Sequence, residues 1–148
     1  MLKQPPNLGT GTEFAPTMYD LHQMDRTFLG IGALLGLLGV TLGAFGAHAL
    51  RTRLSPDMLT VFETGVRYQM YHVFAILIVA AAIGSVGNAR ILVVSGWAFV
   101  AGIVLFSGSL YALALTGVRG LGAVTPFGGL LFLLGWAALA IFAILRKG

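Results

Sequence analysis

The 148-residue chain contains no cysteine. No disulfide framework, thiolate metal site or thiol nucleophile can therefore be built from it. Charge is scarce too: nine Lys and Arg and five Asp and Glu amount to 9% of the residues, where soluble domains carry about 25%. Proline is rare and peripheral, with Pro5, Pro6 and Pro16 near the start and Pro56 and Pro126 standing alone. What remains is 57% hydrophobic. A chain of this kind finds most of its solvent in lipid.

Four stretches carry no charged side chain: Thr27 to Ala47, Val73 to Ala89, Ile91 to Val118 and Gly120 to Leu145. A helix of about 20 residues crosses a hydrocarbon layer of about 30 Å, and each stretch is of that order. Strands of a membrane barrel alternate apolar and polar residues, whereas these runs are apolar all round. The expected fold is all-α: an integral membrane four-helix bundle over residues 26-148, with spans at about 27-50, 60-84, 90-115 and 126-146. Ser55-Pro56-Asp57 reads as a helix start, with Ser at the N-cap, Pro in the first turn and an acid beside it. Gly84 to Asn88 is expected to turn the chain. Residues 1-25 have prolines and glycines but no apolar periodicity, and read as a flexible, poorly ordered N-terminal tail. They lack the apolar core of a signal peptide.

The net charge of +4 belongs at span ends facing headgroups, and nucleic acid is not implied. An even number of spans puts both termini on one side. Arg26, Arg90, Arg146 and Lys147 on that side nearly balance Arg51, Arg53, Arg119 and Arg67 on the other, with a slight lean to cytoplasmic termini.

The first span holds Gly32, Gly36, Gly39, Gly43 and Gly46, spaced 4, 3, 4, 3 along one helical seam. Glycine inside a helix costs roughly 1 kcal/mol relative to alanine, so a line of them implies close approach of another helix. The third span offers a line of mostly small residues, Ser95, Ala98, Gly102, Ser109 and Ala112, as a partner within the chain. Packing inside the bundle, a homodimer seam and a backbone-lined cavity all fit the pattern.

The second feature is positional. His48, Glu63, Arg67, Tyr68, Tyr71 and His72 are expected near one membrane face, opposite the termini, where the third and fourth helices bring FSGSLY and TPFGG. Glu63, Arg67 and Tyr71 recur every four residues on one helix face, acid before base, the favourable order for pairing. Such a cluster suits an interfacial hydrogen-bonding network, a site for a headgroup, quinone or small anion, a haem or metal site, or a proton relay. Two histidines are too few for a structural zinc. No metal, cofactor or catalytic residue is expected, since neither HExxH, a P-loop nor a dinucleotide fingerprint is present.

The segments GAFGAHAL, YQMYH, GIVLFSGSLY and VTPFGGLLFLLGW, in this order and spacing, resemble the transmembrane protein 256 family, domain of unknown function 423. The resemblance covers about Met24 to Lys147. It implies a small four-span protein of bacterial inner membranes or organelles, and it implies no established activity. The expected function is that of a non-enzymatic accessory or interaction subunit, embedded in the bilayer and associated with other membrane subunits or with itself. The rival expectations are an oligomeric ion or proton carrier and a quinone- or haem-binding subunit.

Overall fold

Apolar runs interrupted only at loops leave the backbone no way to satisfy its polar groups in lipid except as helix, and each run forms one. The computed structural model describes residues 18–86 and 89–145, with side chains from residue 26. Helix α1 (Met18–Phe45) continues into one π-helical turn (Gly46–Leu50); α2 (Pro56–Val86), α3 (Arg90–Thr116) and α4 (Thr125–Leu145) follow, the last two joined by a short 3-10 turn (Arg119–Ala123). Among the described residues there is no strand, and four helices are long and apolar enough to span a membrane.

Helix α1 begins at Met18, inside the stretch expected as a tail; residues 1–17 lie outside the described residues. Helix α2 starts where its cap signal lies, and the Ser55 hydroxyl accepts the Met58 amide at 3.4 Å. It runs on to Val86, so the expected turn is shorter than Gly84 to Asn88 and partly outside the described residues, as is the stop at Arg146 and Lys147. Helix α3 closes on Gly117, whose φ of +73° suits glycine and whose amide reaches the Leu113 carbonyl at 2.8 Å.

Packing follows chain order: α1 lies on α2, α2 on α3 and α3 on α4. Helices α2 and α3 form the inner pair and are the most buried, while α1 and α4 lie outside them and are not packed on each other. The glycine seam of α1 faces α2, not the small-residue line of α3. A Cβ at Gly32 would stand 2.7 Å from Leu77, one at Gly39 2.6 Å from the Met70 sulfur, and one at Gly46 3.1 Å from the Phe62 ring. Gly36 and Gly43 receive Val73 and Val66 in the same antiparallel order. The expected partner was wrong because a groove of bare backbone accepts large side chains as readily as another bare helix.

Ser95, Gly102 and Ser109 of that line serve α4 instead, whereas Gly96 of α3 receives the Phe28 ring of α1. Phe132 fills the space over Gly102, Phe99 that over Gly135, and Gly128 is pressed against the backbone of Phe106. The Ser95 hydroxyl donates to the Gly135 carbonyl at 2.8 Å, and Ser109 and Thr125 share a hydrogen bond of 2.8 Å near the loop. The main core contains Phe28, Val73, Ile76, Val79, Ile83, Leu92, Phe99 and Phe132; a smaller one, Leu50, Phe62 and Ala114, seals the loop end.

Candidate functional site

Helical periodicity splits the expected polar cluster between two faces of α2. Phe62, Gly65, Gln69, His72, Val73 and Ile76 point inward and are buried, whereas Glu63, Arg67, Tyr68 and Tyr71 are exposed. His48, on the π-helical turn, is exposed as well.

Depth divides the cluster further. The charge-free runs of α1, α3 and α4 are centred near Leu37, Val104 and Phe132. Val73 meets Gly36 and His72 meets Phe132, so His72 lies near the middle of the bundle's apolar length. His48 is eleven residues beyond Leu37, about 17 Å along the axis, at or past the hydrocarbon edge. The structure therefore does not bring the two histidines together. The expectation of a shared rim took YQMYH for an interfacial girdle, but α2 is 31 residues long and carries those aromatics to its middle.

Two closed polar units occupy that middle. Gln69, 1% exposed, donates from Nε2 to the Leu35 carbonyl of α1 at 2.7 Å and accepts the Tyr111 hydroxyl of α3 at 2.9 Å. The Leu35 carbonyl already belongs to the ladder of α1. It is open to a second donor because a side chain at Gly39 would lie back over that turn, and Gly39 has none. The Gln69 amide nitrogen would stand only 3.3 Å from a Cβ there. One side chain thus ties three helices, and its position on the line of Phe62, Gly65 and His72 is the signal by which it could have been found.

His72 is 5% exposed and fully engaged. Its Nδ1 lies 2.7 Å from the Tyr68 carbonyl, which can only accept, so the proton is on Nδ1. Its Nε2 is then free to accept the indole N–H of Trp136 at 3.3 Å. Phe132 covers one face of the imidazole, with centroids 3.4 Å apart and planes 3° from parallel. Phe99 and Trp136 stand at its edge, and Tyr68 continues the stack to Phe106 at 4.6 Å. No ring nitrogen remains for a metal. Among the described residues, no group of three His, Asp or Glu side chains is arranged to hold one.

The outer face of the cluster is different in kind. Gly43 and Gly46 of α1, with Phe62, Glu63, Val66 and Arg67 of α2, line an open groove of about 320 Å³ at the loop end. Although four residues apart in the favourable order, neither Glu63 nor Arg67 is held in an ion pair among the described residues.

The comparisons agree with this architecture. Residues 42–129 match the family model described as "Protein of unknown function (DUF423)". The chain is 42% identical over 119 residues to the UPF0382 membrane protein YwdK of Bacillus subtilis, covering 80% of this chain and 97% of that protein. It is 46% identical over 124 residues to a UPF0382 membrane protein of Staphylococcus epidermidis, covering 83% and 99%. The UPF0382 membrane protein SH2409 of Staphylococcus haemolyticus is 46% identical over 117 residues, covering 78% and 93%. No solved structure matches the chain.

Proposed function

We propose, proceeding from the fact that this chain belongs to the DUF423 family of membrane proteins, that it is a non-enzymatic accessory or interaction subunit of an inner-membrane assembly. The observation that carries this reading is that the polar side chains between the helices are engaged with one another, the buried hydroxyl of Ser107 alone among the described residues having no partner. Gln69 is satisfied by Leu35 and Tyr111, His72 by Tyr68 and Trp136, and Ser95 by Gly135, all within the chain. A carrier needs polar groups that face a path, and a quinone or haem site needs a donor that is free. Here Gln69, His72 and Ser95 hold helices to one another. The outer helices present broad apolar faces: Leu34, Leu37 and Val40 on α1 and Leu130, Leu133 and Leu134 on α4 are exposed. Faces of that kind suit lipid or a neighbouring membrane subunit.

Purification from native membranes in mild detergent after cross-linking tests the reading. A companion protein or a second copy retained in stoichiometric amount is expected. Recovery of the monomer alone, together with ion flux in liposomes that Gln69→Leu or His72→Phe abolishes, would replace this reading with the carrier.

A further inference from the structure

We infer that the groove between α1 and α2 at the loop end is a binding site for the headgroup of one phospholipid bearing a primary ammonium, a phosphoethanolamine lipid. The inference stands on where two charges lie and on what surrounds them, and it holds whether or not a protein companion is found.

Taking His72 as the middle of the apolar length, Arg67 is five residues toward the loop end, about 8 Å along the axis, and Glu63 is nine residues away, about 14 Å. Half of the hydrocarbon layer is about 15 Å. Arg67 is therefore rooted inside the apolar layer, and Glu63 lies at its edge. Charges at such depth are costly and need a partner. Neither finds one among the described residues. Both are exposed, and no ion pair holds either among the described residues.

The long side chain of Arg67 can run along the groove toward the rim, as arginines rooted at membrane depth do. Its guanidinium then meets the depth at which lipid phosphates sit, and its fork suits two phosphate oxygens. Glu63, one turn nearer water, accepts hydrogen bonds from an ammonium; a trimethylated ammonium has none to give. An acid one turn outside a base is thus the mirror image of a headgroup that places its amine outside its phosphate. The floor of the groove is apolar. Val66 and Phe62 pack over Gly43 of α1 and Gly46 of the π-helical turn, and the open groove beside them has room for the glycerol end of an acyl chain.

The experiment uses the full chain, purified in mild detergent and exposed to mixed micelles with equal amounts of phosphatidylethanolamine, phosphatidylcholine and phosphatidylglycerol of identical acyl chains. Native mass spectrometry then counts the lipid retained. Phosphatidylethanolamine is expected to be held about fivefold better than phosphatidylcholine, the ratio of one interfacial charge contact. Glu63→Gln should erase that preference and leave phosphatidylcholine retention unchanged, whereas Arg67→Gln should lower retention of all three lipids by about the same factor. Both side chains are exposed, so thermal unfolding should not shift and a folding defect is separable from a binding one. Equal retention of the ethanolamine and choline lipids by the unaltered chain overturns the inference, as does a preference that survives Glu63→Gln. Preference for phosphatidylglycerol overturns it in favour of a simple cationic patch. A bound protein lost with Glu63→Gln, with no lipid retained, overturns it in favour of a protein contact.

Discussion

Along the α1–α2 contact the bare backbone belongs to α1 and the large side chains to α2, in the order Gly32 to Leu77, Gly36 to Val73, Gly39 to Met70, Gly43 to Val66 and Gly46 to Phe62. Along the α3–α4 contact the roles alternate: Gly102 receives Phe132 from α4, while Gly128 and Gly135 of α4 receive Phe106 and Phe99 from α3. A one-sided groove leaves its knobs free to shift at their tips. A reciprocal one locks both helices, because each phenyl ring that moves must push a backbone. The first arrangement is repairable and the second is not.

Gly128→Leu should be the most damaging single change, because its Cβ meets the backbone of Phe106, which cannot swing aside. A loss on the order of 3 kcal/mol or more is expected, read as lost monodisperse protein or in a detergent-denaturation titration. Gly39→Leu comes next. The Met70 tip can retreat, but the new side chain covers the Leu35 carbonyl and ejects Gln69, so about 2 kcal/mol is expected. If the two glycine variants unfold together, the distinction between the interfaces fails.

Gln69→Leu strands the Tyr111 hydroxyl and should cost about 2 kcal/mol, whereas Tyr111→Phe added to it should cost little more, since the stranded group is gone. A double-mutant cycle showing simple additivity would mean that the two side chains do not act as a unit. His72→Phe keeps the stack on Phe132 and loses the bond from Trp136, a change of about 1 kcal/mol accompanied by altered indole fluorescence. His48→Ala should be within about 0.5 kcal/mol of the parent, as expected of an exposed side chain with no partner to lose.

The four spans were legible because absence of charge over a membrane's width has few other meanings, and the start of α2 was legible in Ser55-Pro56. The glycine seam was visible too, since glycine at 4, 3, 4, 3 spacing is too costly to be idle. Its partner was not. Ridge and groove are complementary in volume rather than in residue type, and the small-residue line of α3 looked like a match while Met70 and Leu77 did not. Gly128 and Gly135 were overlooked for a related reason: Gly129 breaks the pattern between them, and only contact with Phe106 and Phe99 distinguishes them from it. The polar cluster was grouped by proximity in sequence, whereas the helix separates Gln69 and His72 from Glu63 and Arg67 by orientation and separates His48 by depth. The alternation of faces was readable from periodicity alone. Which part of α2 lies at mid-bundle was not, because only its contacts with Gly36 and Phe132 set that depth.

That α1 and α4 stand outside the inner pair has a bearing on which membranes suit the molecule. Acyl chains meet these two rods far more than the 31-residue α2, so α2 does not dictate the match. The narrower of the two sets it: the 21 uncharged residues from Thr27 to Ala47 rise about 31 Å, close to an ordinary bilayer, and leave little mismatch for tilting to absorb.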